Sequence, residues 1–136
     1  MQRRSTLALV VVLALAAAGC ARPSESRQVA DRFMELYYGR ASVAEAVQLC
    51  SGAARTRLEA ELRALQGVQP DTAAGEPRVT FSLTSSASPT PTQATYIYRV
   101  TPRTADVGKV TATLTLADEG GRWVVTSLTE GEGPPT

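Results

Sequence analysis

Val110-Thr111-Ala112-Thr113-Leu114-Thr115-Leu116, then Asp118-Glu119-Gly120-Gly121, then Arg122-Trp123-Val124-Val125-Thr126-Ser127-Leu128-Thr129, is the stretch that decides the fold. Its first run alternates apolar residues with threonines, the period of a strand with one buried face. The two glycines supply the positive backbone angles of a tight reversal, so the second run answers the first as an antiparallel hairpin. Toward the N-terminus, Ala94 to Val100 reads as another strand, with Tyr96-Ile97-Tyr98 placing bulky side chains on both faces, and Thr101 to Asp106 turns the chain. Val79, Phe81 and Leu83 alternate with Arg78, Thr80, Ser82 and Thr84, which predicts a fourth strand. Between these two strands, Ser85 to Thr92 carries prolines at 89 and 91 and predicts a mobile loop, O-glycosylated or disordered. Gly131 to Thr136 reads as a frayed tail.

Upstream of residue 67 the period is helical. Val29, Ala30, Phe33, Leu36 and Tyr37 fall on one face and Arg27, Gln28, Asp31, Arg32 and Glu35 on the other, so Ser26 to Tyr38 predicts an amphipathic helix. Ser24 or Ser26 marks its start and Gly39 its left-handed end. Ser42-Val43-Ala44-Glu45 has the spacing of a capping box and opens a short second helix to about Cys50. The third helix runs from Ala53 to Gln66, with Leu58, Leu62 and Leu65 as its stripe and opposite charges four apart at Arg55/Glu59, Arg57/Glu61 and Glu59/Arg63. Residues 67–77, with two prolines and no period, connect it to the strands.

The first 20 residues have a separate logic. A basic head (Arg3, Arg4), an apolar block from Leu7 to Ala18 and a small-residue exit are the parts of a secretory signal. The block is shorter than the roughly 20 residues of a spanning helix. The exit Ala17-Ala18-Gly19-Cys20 resembles the lipobox of bacterial lipoproteins, with Ala17 where that family usually has leucine. The resemblance implies cleavage before Cys20, a diacylglyceryl thioether on its sulfur, and a mature chain anchored in a membrane of the cell envelope, facing periplasm or cell exterior. Two or three acyl chains anchor durably where one holds marginally.

Cleavage leaves 117 residues, an ordinary single-domain size, and removes two of the 14 basic side chains against 13 acidic ones. The mature chain is therefore close to neutral, with no basic run to attract nucleic acid. Cys20 is taken by lipid, so Cys50 has no partner within the chain; among Val47 and Leu49 it reads as a buried thiol, with a reactive thiol or an intermolecular bridge as the alternatives. The chain has no histidine, which removes the serine–histidine and cysteine–histidine nucleophile systems and every histidine-ligated metal site. No cofactor and no metal are expected.

Helices followed by four antiparallel strands predict an α+β fold, with N-terminal helices packed on a curved four-stranded antiparallel sheet as a cone-shaped roll. The helix ending Phe33-Met34-Glu35-Leu36-Tyr37-Tyr38-Gly39, the second helix with Cys50-Ser51, the Ala94-Thr95-Tyr96 strand and Gly120-Gly121-Arg122-Trp123-Val124-Val125 resemble small secreted members of the nuclear transport factor two-like superfamily. The resemblance covers roughly residues 26 to 130. It implies a cone opening between the first helix and the concave sheet, and so a candidate pocket lined by Phe33, Tyr37, Tyr96, Tyr98 and Trp123. In isomerases of that superfamily a tyrosine on the first helix donates to an oxyanion, a part open to Tyr37 or Tyr38, while a carboxylate moves the proton. Here the residues after the helix are Gly39-Arg40-Ala41-Ser42, without that carboxylate. Asp31 and Glu35 lie on the face opposite Phe33 and Tyr37 and read as a solvated pair, so no catalytic residue is assigned.

The expected organisation is a signal peptide at 1–19, anchor and tether at 20–25, the roll at 26–130 and a tail at 131–136. The expected function is a membrane-anchored envelope lipoprotein that binds a protein or small apolar ligand without catalysis. The alternatives are a small isomerase or dehydratase with a tyrosine-based pocket, and a scaffolding subunit of an envelope complex.

Overall fold

Ser24 opens the first helix: its hydroxyl accepts the Arg27 amide at 3.3 Å, and α1 runs over Glu25–Met34. The computed structural model describes residues 23–67, 79–103 and 108–132. The readings made on the signal peptide and Cys20, on 68–77, on part of the 101–106 turn and on 133–136 lie outside these described residues. No described helix is long and apolar enough to cross a membrane.

The α1 helix widens into a single π-helical turn at Glu35–Gly39. There the Arg40 amide reaches back to the Glu35 carbonyl at 2.8 Å, and the Ser42 amide to the Leu36 carbonyl at 2.8 Å. The left-handed residue that ends this turn is Ala41, at φ 51°, rather than Gly39. This geometry also explains why the expected capping box does not form. The Ser42 amide that Glu45 would have accepted is already bonded to Leu36, and the Ser42 hydroxyl makes no capping bond. The second helix is accordingly one turn, α2 (Val43–Ala46), followed by a 3₁₀ turn at Val47–Leu49. Then α3 runs over Gly52–Ala64. Leu58 of its expected stripe is buried and Leu62 half-buried, but Leu65 is 48% exposed beyond the helix end.

The strands are β1 (Val79–Thr90), β2 (Gln93–Pro102), β3 (Val110–Glu119) and β4 (Arg122–Glu132), antiparallel in the order β1-β2-β3-β4. Gly120 and Gly121, at φ 66° and 86°, close the β3–β4 hairpin, and the Asp118 carboxylate accepts the Gly121 amide at 2.8 Å. Gly121→Ala is expected to lower stability by about 1–2 kcal/mol, the strain of a Cβ in a left-handed position, while Gly120→Asn loses less because asparagine tolerates that region. Thermal unfolding of the two variants checks this; equal melting temperatures would show that the turn is not strained by side chains.

Two segments differ from expectation. Ser85 to Thr90 is strand, not loop: Ser85, Ser86 and Ala87 pair with Ile97, Tyr96 and Thr95, and only Pro91-Thr92 turn the chain. Both faces of this end of β1 are exposed, so it carries no apolar alternation, and pairing with β2 alone holds it. Pro89 is accommodated because β1 is an edge and its ladder shifts register between Ala87 and Thr90. Gly131 and Glu132 likewise belong to β4, opposite Thr111 and Val110, so the regular structure extends past the expected boundary at 130.

One face of the sheet is covered. Ala94, Tyr96, Tyr98 and Val100 of β2, Ala112, Leu114 and Leu116 of β3, and Val125 and Leu128 of β4 meet Ala30, Phe33, Met34 and Leu36 from α1 and its π turn, and Ala54 and Leu58 from α3. The α1 helix lies across β2, β3 and β4, and α3 packs on β4. Cys50 is buried in this core, its Sγ 3.4 Å from the Ala46 carbonyl, and burial pushes its thiol up to about 12. It is a structural thiol that stays protonated at neutral pH.

Candidate functional site

The polar face of α1 does not face open water along its whole length. Where the sheet curves away from the helix, α1 and the β1–β2 edge enclose an open groove of about 610 Å³. Phe81 and Leu83 of β1 and Tyr98 of β2 form its floor, and Arg27, Asp31, Arg32 and Glu35 of α1 and its π turn form its rim. The Phe81 and Tyr98 rings meet edge to face, with centroids 6.0 Å apart. The volume falls within the range of small-molecule sites.

Tyr98 is only 1% exposed, so its hydroxyl needs an internal partner. It donates to the Asp31 carboxylate at 2.6 Å, and Arg27 Nε donates to both Asp31 oxygens, at 2.8 and 2.9 Å. Asp31, whose side chain is still 39% exposed as its place on the helix suggests, is thus also the internal acceptor of Tyr98. Burial, and then the bond to Asp31, push the Tyr98 hydroxyl above the usual phenol range. Glu35 accepts from Arg40 Nη2 at 3.1 Å and lies 3.8 Å from Arg32 Nη1.

The other tyrosines are also tied internally. The π turn lets the consecutive Tyr37 and Tyr38 meet edge to face, with centroids 4.8 Å apart. Tyr37 donates to both Glu61 oxygens of α3 at 2.8 and 3.0 Å, and Tyr38 donates to Glu130 of β4. Arg57 bridges the two carboxylates, 3.3 Å from each, and its Nη1 donates to the Leu128 carbonyl at 3.0 Å. Burial first, and the carboxylate partners second, raise both phenols. Tyr96 hydrogen-bonds the Ser26 and Ser24 hydroxyls, at 2.7 and 3.2 Å, under the start of α1.

The five residues expected to line one pocket therefore do not share a cavity. Phe33 is fully buried and stacks on Tyr37 at 5.4 Å, Tyr37 belongs to the Glu61 network, and Tyr96 is sealed beneath Ser26. Tyr98 lines the α1–β1 groove, whereas Trp123 lines a second, smaller hollow of about 320 Å³ with Val29 and Leu49. Phe81 and Leu83 were visible in the sequence as the apolar half of a half-buried strand, but not as a site. The available signal was Tyr98 itself, since a tyrosine on the buried face of a strand requires an acceptor from the facing helix. Among the described residues no three acidic, cysteine or histidine side chains are grouped to hold a metal ion.

No protein-family model matches the chain, and no curated protein matches it. Among solved structures, an NTF-2-like protein of unknown function from Shewanella oneidensis MR-1 matches with a TM-score of 0.52, over 76% of this chain and 93% of that one, at 18% identity. The fold is NTF-2-like. At that identity the likeness concerns the backbone arrangement alone, and the NTF-2-like frame hosts many functions, so activity has to be argued from the groove.

Proposed function

We propose that this chain is a membrane-anchored lipoprotein of the bacterial envelope whose NTF-2-like domain binds a small apolar ligand or partner in the α1–β1 groove without catalysing a reaction. The observation that carries the binding reading is the groove's construction, an apolar floor of Phe81, Leu83 and Tyr98 under a charged rim. Binding is favoured over isomerase or dehydratase chemistry because the hydroxyls of all four tyrosines are bonded within the protein. Those of Tyr37, Tyr38 and Tyr98 are donated to carboxylates, so they would have to exchange partners before polarising a substrate carbonyl. The anchor rests on the sequence from Leu7 to Cys20, five residues before α1 begins. At about 3.5 Å per residue that tether holds the domain within about 20 Å of its membrane.

The test is intact mass, with native extraction of bound small molecules, on protein purified from the membranes of its own host. The expected result is loss of residues 1–19, acyl chains on Cys20 and a co-purifying apolar mass. Acylation with nothing bound would favour a scaffolding role, and a retained signal peptide would overturn the anchor.

A further inference from the structure

We infer that the α1–β1 groove selects an amphiphilic carboxylate, an apolar body carrying one anionic head, with Arg27 and Arg32 as the residues that read the head group. The inference rests on the reading of this groove as a binding site and specifies its ligand.

It follows from which hydrogen-bonding groups on the rim are already satisfied. Asp31 accepts from Tyr98 and, on both oxygens, from the single bifurcated N–H of Arg27 Nε. Glu35 is engaged by Arg40 on one oxygen and faces Arg32 on the other. Asp31 is therefore held by donors of the protein on both oxygens, and Glu35 on one. The guanidinium groups are not used to the same extent. A guanidinium carries five N–H donors, and Arg27 bonds Asp31 through Nε alone, leaving the four donors of its Nη1 and Nη2 without a protein acceptor among the described residues. Arg32 approaches Glu35 only at 3.8 Å, beyond hydrogen-bond reach. The unfilled capacity of the rim is mostly donors, the Nη groups of Arg27 and the guanidinium of Arg32 against one oxygen of Glu35 and the side-chain oxygen of Gln28, and a ligand that supplies acceptors completes it.

Charge does not oppose this: Arg27 and Arg32 balance Asp31 and Glu35 on the rim, Arg40 outside the groove adds a cation beside Glu35, and Phe81, Leu83 and Tyr98 beneath the rim offer no charge to a ligand. A planar carboxylate matches the fork of a guanidinium, and an apolar body attached to it displaces water from the floor. A neutral apolar molecule gains only the second of these contacts. A polyanion, or a phosphate without a tail, forgoes the floor and brings more charge than the rim balances.

The experiment titrates octanoate, and in parallel octanol, into the intact chain and follows the backbone amide resonances of Phe81 to Leu83 and of Arg27 to Glu35, so that partition elsewhere does not register. Octanoate is expected to shift both sets and to bind about tenfold more tightly than octanol, the value of a charge-assisted hydrogen bond at a half-exposed site. Arg27→Gln should reduce octanoate binding to the level of octanol while leaving octanol binding unchanged, and Arg32→Gln, which disturbs no bond to Asp31, should narrow the difference on its own. Equal affinity of the two probes in the unaltered chain would overturn the carboxylate preference and leave the apolar groove standing. Shifts from neither probe would overturn the groove as a binding site, and the preference with it.

Discussion

Phe33→Ala should lower folding stability by about 3–5 kcal/mol, the usual loss when a fully buried phenylalanine is truncated. Phe33 has no exposed surface and stacks on Tyr37, on the helix that lies across β2, β3 and β4. Removing its ring opens a cavity where α1 meets the sheet, and neither side can collapse easily. The helix is held by its π turn to α3 through Tyr37–Glu61 and to β4 through Tyr38–Glu130, while the sheet is held by its own ladder. Domains of this size have about 5–15 kcal/mol in all, so the variant loses a large share of its stability and unfolds at much lower denaturant. Urea unfolding measures the change through its midpoint, with the slope showing whether the compared states stay the same. Phe33→Leu retains most of the buried area and should lose much less. A loss below about 1 kcal/mol for the alanine variant would mean that α1 does not organise the core.

Alkali should unfold the domain from about pH 10 upward. Tyr37, Tyr38 and Tyr98 have hydroxyls raised above the usual phenol range, by burial first and by their carboxylate partners second. A phenol raised in the folded state favours that state fully while the pH is below its unfolded value near 10. The advantage fades as the pH climbs from there toward the folded value, because the unfolded chain ionises first. Tyr98, almost wholly buried, contributes about 1.4 kcal/mol per pH unit over this window; Tyr37 and Tyr38, more exposed, contribute less. Phenolate absorbance and circular dichroism followed together should change in concert above pH 10. Subtracting the titration of Tyr98→Phe isolates the deepest of the three. If that difference curve shows Tyr98 ionising near pH 10 with the dichroism intact, its bond to Asp31 does not hold in solution.

The β3–β4 hairpin and the buried face of α1 were legible because each rests on a local rule. Two glycines permit a reversal, alternation orients a strand, and Ala30, Phe33 and Leu36 recur at helical spacing. The far half of β1 was not legible, because Ser85 to Thr90 is exposed on both faces and owes its conformation to β2 rather than to its own composition. The groove escaped for a related reason. A helical wheel divides α1 into core and water, yet the curved sheet brings Tyr98 against the side counted as water, and Asp31 becomes its acceptor. The π turn was not read from the sequence, and with it Tyr37, expected in the pocket, bonds Glu61, while Tyr38 bonds Glu130.

The way α1 is fastened sets how the domain responds to force. A pull arriving through the residues before Pro23 enters at Ser24 and Ser26, which are bonded to Tyr96, and passes into a helix laid across three strands. To yield there, the whole helix–sheet contact must slip at once, a shear joint. A pull on the C-terminus meets β4, whose ladder with β3 opens one pair at a time from Glu132–Val110, a zipper with a catch at Glu130, where Tyr38 and Arg57 hold the strand. The two ends of the same small domain are built to yield in different ways, by shear on the side that leads to Cys20 and by unzipping on the other.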